Sequence, residues 1–136
     1  MSIKIKLQRT EELSEFLELN GFEVEALDNG VYRVQREGEL PVFLKMVDER
    51  IFYEVDLGNV DEILSEELLL SLLDLNTQIL PVSFGLDTSN PDDRRLVLVE
   101  SRETSDMNDN ELLSVFDALE LAVDRAEELL APVVNG

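Results

Sequence analysis

Residues 72–86 read LLDLNTQILPVSFGL. Leucines at helical density run into three polar residues, Asn76, Thr77 and Gln78, and an apolar run then resumes around a proline. Short polar side chains compete for backbone hydrogen bonds and take a chain out of a helix. Pro81 disfavours helical backbone at the residue before it. Leu80, Val82, Phe84 and Leu86 alternate with Pro81, Ser83 and Gly85, the two-residue period of a strand. The stretch therefore predicts a helix, a turn and a strand in immediate succession.

Upstream, Ile63, Leu64, Leu68, Leu72 and Leu75 recur at helical spacing. The helix is expected to begin after Gly58-Asn59 and to end near Leu75. Leu69, Leu70 and Leu73 widen the apolar stripe, and a helix apolar over so much of its girth has to be covered on more than one side. Downstream, DTSNPDD reads as a long turn and RRLVLVES as the strand that returns beside the first.

Two further hairpins lie nearer the start. Asn29-Gly30 tolerates the positive φ angles of a type I′ turn, and Phe22, Val24 and Ala26 would share a face on the strand before it. PVFLKMV and IFYEVDL flank a turn at Asp48 to Arg50, with Pro41 suited to a first strand position. Ile51, Tyr53, Val55 and Leu57 then form one face, opposite Glu54 and Asp56.

A first helix is expected from Thr10 to Gly21, with Leu13, Phe16, Leu17 and Asn20 on one side and Gly21 as its stop. A last helix carries Leu112, Phe116, Leu119, Val123, Ala126 and Leu130 inward, and its acids outward. Asn108 and Glu111 have capping-box spacing ahead of it, and Pro132 is expected to follow its end. The segment SIKIKLQ alternates apolar and basic residues, as an extended arm or edge strand over residues 1–8 would. No repeat or linker interrupts the chain, so residues 1–136 are expected to form a single α+β domain: an antiparallel sheet of about five or six strands with three helices.

The chain has 31 acids against 11 bases, for a formal charge of −20. Such a surface repels nucleic acid and anionic lipid. Apolar residues make up 44%, too many for a disordered acidic tail. Glu54 to Asp74 holds seven acids and no base, while Lys4, Lys6 and Arg9 all precede the first acid, Glu11. Neither a signal peptide nor a membrane span is legible, so a cytoplasmic location is expected.

Catalysis is hard to build from this composition. The chain has no histidine and no cysteine, which removes the usual neutral-pH base, the thiolate nucleophile and the Ser-His-Asp arrangement. No phosphate-cradling or dinucleotide fingerprint occurs, and no cofactor is expected. Asp106-x-Asn108-x-Asn110 matches the first half of an EF-hand loop. It then places Glu111 where glycine must turn and Asp117 where a bidentate glutamate belongs. A helix cap explains the same residues, and no metal is expected. The expectation is a protein that is not an enzyme.

The element order resembles that of the small acidic chaperones of type III secretion and of the related YbjN-like bacterial domains. LDLNTQILPVSFGLD, followed by FDALELAVDRAEELL, also resembles the YjfI-like family of uncharacterised bacterial proteins. The first resemblance implies a dimer that binds extended segments of other proteins. The second implies an association with phage-shock, envelope-stress genes. The functional expectation is thus a chaperone-like, homodimeric protein-binding module, with Leu69, Leu70 and Leu73 on the middle helix and Leu80 and Val82 on the adjoining strand as the contact residues. Its partner would be a basic or apolar segment, with no nucleic acid bound and no insertion into membrane. The alternative is an acidic regulator, or nucleic-acid mimic, that captures a basic protein.

Overall fold

The computed structural model describes residues 10–105 and 107–134. The expected N-terminal arm or edge strand, and Asp106 of the EF-hand-like string, lie outside the described residues. The elements in chain order are α1 (Thr10–Leu19), β1 (Glu23–Ala26), β2 (Val31–Gln35), β3 (Val42–Val47), β4 (Arg50–Asn59), α2 (Glu66–Asn76), β5 (Ser83–Asp87), β6 (Arg95–Glu103) and α3 (Asp109–Val134).

α1 stops at Gly21, as its sequence predicts. Gly21 adopts φ +89°. The Phe22 N–H reaches back to the Leu17 carbonyl at 3.1 Å and the Gly21 N–H to the Glu18 carbonyl at 3.2 Å. Those two bonds are a Schellman motif, and a left-handed residue is what the motif requires. Phe22 then enters the core beside Leu17. At the next turn Asn29 and Gly30 both take positive φ, 62° and 74°, and the Val31 N–H bonds the Asp28 carbonyl. Between β3 and β4 the turn is Asp48-Glu49, with Val47 opposite Arg50 and Asp48 at φ 53°.

All six strands join one sheet in the order β1-β2-β3-β4-β6-β5, every neighbouring pair antiparallel. β6 is inserted between β4 and β5, so the chain leaves β4, crosses over through α2, lays down β5 at the edge and returns to fill the gap. Leu96, Val97 and Leu98 are buried in consequence, as the unbroken apolar run RLVLV of a central strand suggests. Alternation along the strands sends Val34, Leu44, Ile51, Tyr53, Val55 and Leu98 to one face, where they pack on Leu13, Phe16 and Leu17 of α1 and Leu112, Val115, Phe116 and Leu119 of α3. The Tyr53 ring stands edge-on to Phe116 at 5.7 Å. Leu68 and Leu72 of α2 form a smaller cluster with Val60 and Leu96.

Three boundaries differ from expectation. α2 begins at Glu66, because β4 runs on to Asn59 through a register shift between Asp56 and Gly58, and residues 60–64 then form a turn. Ser65 is the cap, its Oγ accepting from the Leu68 N–H at 3.0 Å. β5 begins at Ser83 rather than Leu80. Ile79 to Val82 is a turn closed by the Val82 N–H on the Ile79 carbonyl, with Leu80-Pro81 cis. Pro132 lies inside α3 rather than beyond it; it sits in the last turn, where carbonyls that lose an N–H partner can bond water instead. The expected cap at Asn108 is present, its Oδ1 accepting from the Glu111 N–H at 2.9 Å.

The three polar residues after α2 each do separate work. Asn76 Oδ1 accepts from the Phe84 N–H at 2.7 Å, joining the end of α2 to β5. Thr77 Oγ donates to the Asp74 carbonyl at 2.9 Å. Gln78 Oε1 accepts from Arg125 of α3 at 2.7 Å. Loss of a partner for a half-buried N–H costs about 1–2 kcal/mol, so Asn76→Ala should lower stability by that amount in urea denaturation. Asn76→Asp, which keeps the acceptor, should retain most of it, and Thr77→Ala should cost under about 0.5 kcal/mol. Equal losses for the two alanine variants would remove Asn76 from this role.

Candidate functional site

The apolar surface of this protein gathers around α2. The buried stripe of the helix is Leu68, Leu72 and Leu75. Among the described residues the helix meets the sheet and the end of α3, where Leu129 and Leu130 pack against the Leu68 and Leu72 cluster, and residues on its opposite side point away from both. Leu69 is 38% exposed, Leu70 60%, Leu73 64%, Leu80 71% and Leu86 40%. Leu69, Leu73 and Asn76 of α2 and Phe84 and Leu86 of β5 line a groove of about 280 Å³ over Leu96. Among the described residues β5 pairs only with β6, so the groove runs beside an edge of the described sheet.

The expected contact residues are thus divided. Leu69, Leu70 and Leu73 stand on the outer side of α2, and Leu80 stands at the tip of the turn after it. Val82 is fully buried in the main core cluster and offers no surface. Neither Leu80 nor Val82 is on a strand: the turn that brings the Val82 N–H to Ile79 folds Val82 inward and leaves Leu80 outside. Leu86 was missed as a surface residue, although it continues the same alternation.

The charged side chains mostly hold loops. Arg36 bonds Glu120 at 2.8 Å and Asp117 at 3.3 Å and lies over the Phe22 ring, fastening the segment after β2 to α3. Asp61 accepts from Arg94 at 2.6 Å, and Asp56 from Arg95 at 2.7 Å. The Arg94 partner holds the Asp61 carboxyl below its ordinary range. In the DTSNPDD turn, Asp87 Oδ1 accepts from both the N–H and the hydroxyl of Ser89, which is turn chemistry. Among the described residues no three His, Cys, Asp or Glu side chains stand together as a metal site, and none of the described helices is long and apolar enough to cross a membrane.

Among the described residues two buried polar atoms lack partners: Tyr53 Oη and Glu100 Oε2. The two residues face each other across β4 and β6. Burial raises the pKa of both, with Arg102 opposing it in each case.

These features describe a small α+β binding module whose most distinctive surface is apolar rather than chemical. Residues 6–134 match the family model CesT_Tir_1, and the chain belongs to this family of type III secretion chaperones. No curated protein matches it in sequence. In fold it is similar to a chain of the heterodimeric ExoU–SpcU complex from the type III secretion system of Pseudomonas aeruginosa. The TM-score is 0.70 and the identity 22%, over 88% of this chain and 98% of that one. It is also similar to YbjN from E. coli, with a TM-score of 0.52 and 14% identity over 96% of this chain and 91% of that one. The chaperone-like, YbjN-like layout expected from the element order is therefore the fold the chain has. Family membership supports chaperone-like protein binding, and such chaperones are typically non-enzymatic.

Glu100 yields a pH signature. A carboxyl whose folded pKa lies above its unfolded value adds stability below the unfolded pKa, here near 4.5, and loses that contribution as pH rises through the folded value. Glu100→Gln should therefore gain stability relative to the parent at pH 7.5, and the gain should shrink as pH falls to 4. Paired thermal melts across that range check it; a pH-independent difference would contradict the burial of an ionisable group there.

Proposed function

We propose that this protein works by holding another polypeptide against the apolar surface formed by α2, the turn after it and β5, and that a second copy of the chain is the first such partner. The observation that carries this reading is the groove that the exposed Leu69, Leu73 and Leu86 line together, with Leu70 and Leu80 also exposed on the same helix and the turn after it. Isolated exposed leucines are ordinary, but a contiguous set marks an interaction site. The family supplies the functional context, chaperone-like binding, and a cytoplasmic setting is the one we propose for it. The envelope-stress association is supported by the resemblance of residues 73–87 and 116–130.

A second reading rests on charge. Residues 51–93 contain ten acids and no base, and Glu66, Glu67 and Asp74 of α2 are exposed beside the leucines. A basic partner, captured by an acidic regulator, would meet complementary charge on this surface. Two copies meeting here would bring like charges together.

Salt separates the readings, because screening weakens attraction and repulsion between exposed charges alike. Self-association through this face should tighten between roughly 0.05 and 0.5 M salt, whereas capture of a basic protein should weaken. Leu70→Asp should halve the mass in size-exclusion chromatography with light scattering and leave the thermal midpoint within a few degrees. A mass that is monomeric in the parent, or unchanged by the substitution, would dispose of the dimer.

A further inference from the structure

The bases of this chain are divided unevenly. Lys4, Lys6 and Arg9 precede Glu11, the first acid, which leaves eight bases among the residues that carry all 31 acids. Residues 3–7, IKIKL, alternate Ile3, Ile5 and Leu7 with the two lysines. In extended backbone such a segment turns its apolar side chains to one side and its cations to the other. It fits a surface that is apolar on one side and acidic on the other.

The outer margin of β5 is such a surface. On the helix side, Phe84 and Leu86 form the groove with Leu69 and Leu73 of α2. On the other side the register places Ser83, Gly85 and Asp87 beside Val99, Val97 and Arg95 of β6, with Glu54 and Asp56 of β4 beyond. Arg95 is held by Asp56 and Asp93, and Lys45 of β3 lies diagonal to Glu54, so four acids here outnumber two bases. Burial, then Asp87 and Asp56, raises the Glu54 carboxyl above its ordinary value. Gly85 carries no side chain, so a lysine stem can cross it toward Glu54 or Asp87. The backbone is open as well. The Phe84 N–H bonds Asn76 rather than β6, which turns the backbone groups of Phe84 and Leu86 away from β6. Asn76 takes one of them, leaving the Leu86 N–H and both carbonyls to an added strand. The opposite margin offers less: α1 already lies beside β1, and Glu25 there faces Arg33.

The tether decides which copy supplies the segment. Three peptide steps join Leu7 to Thr10, a reach of about 10 Å. α1 ends at the start of β1, and a strand added beyond β5 is six strand spacings from β1, about 29 Å. The ten residues of α1 cover about 15 Å of that even lying straight across the sheet, so a chain's own segment falls short. We propose that residues 3–7 of a second copy lie along β5, with Ile3, Ile5 and Leu7 in the α2–β5 groove and Lys4 and Lys6 reaching Glu54 and Asp87. This rests on the reading above, in which a second copy meets this surface, and names the segment that enters the groove. The exchange is reciprocal, each copy serving the other's edge. Its lysines lie between two acidic bodies and offset part of their repulsion.

The chain has no cysteine, so introduced thiols report a single pairing. Full-length Ile5→Cys and Leu73→Cys chains, mixed and mildly oxidised, should form a disulfide-linked dimer about tenfold faster or more than Ile5→Cys mixed with Glu25→Cys at the opposite margin. Leu73 and Glu25 are exposed, so neither substitution removes core packing. A chain carrying both Ile5→Cys and Leu73→Cys should link to a second copy rather than to itself. Lys4→Glu combined with Lys6→Glu should weaken dimerisation about tenfold near 0.05 M salt and much less near 0.5 M, read by light scattering. A parent that is monomeric at both salts overturns this proposal together with the dimer. A dimeric parent that shows no preference for Leu73, a self-linked double variant, or a dimer indifferent to the lysine reversals overturns this proposal alone.

Discussion

α2 has eleven residues, six of them leucine, and packs on one face of the sheet beside the end of α3. A helix in that position can bury one stripe and no more. Leu68, Leu72 and Leu75 take the stripe, and the remaining leucines are left where water or another chain must meet them. The apolar surface around α2 follows from that shortage of cover. The same leucines on a helix between two layers would be ordinary core.

The shortage is a product of topology. Because β6 fills the place next to β4, β5 is displaced to the edge, and α2 is carried out with it as the crossover between β4 and β5. The helix therefore ends up at the margin of the sheet, beside a strand whose outer side has no partner among the described residues. α3, by contrast, lies across the middle, and its apolar residues Leu112, Val115, Phe116, Leu119, Ala122 and Ala126 are all buried. α3 thus buries a stripe sustained over four turns, although Leu121 stays exposed, whereas α2 buries three leucines and exposes three.

Charge acts on a different link. The bases of the described chain are few, and most are spent on fastening loops: Arg36 to α3, Arg94 and Arg95 across the ends of β4 and β6. Exposed pairs of this kind stabilise little individually, but they fix where loops sit. What they leave over is an acidic body with an apolar margin around α2. An acidic rim around an apolar surface keeps a protein-binding module soluble when its partner is absent.

The sequence by itself determined the parts whose cause is local. Gly21 stops α1 because only a left-handed residue completes its cap. Asn29-Gly30 turns the first hairpin because both residues accept positive φ. Asn108 caps α3, and Asn76 to Gln78 end α2, because their side chains reach backbone groups a few residues away. The alternation from Ile51 to Val55 marks an inward face without any tertiary knowledge. Helical spacing already set Leu68, Leu72 and Leu75 apart from Leu69, Leu70 and Leu73. Only tertiary structure decided the segment after the helix: Val82 looks like Leu80 in the sequence, yet one turn at Ile79 buries the valine and exposes the leucine. Hydrophobic burial depends on what lies opposite each side chain, and here that was set by the insertion of β6 between two strands that precede it in the chain.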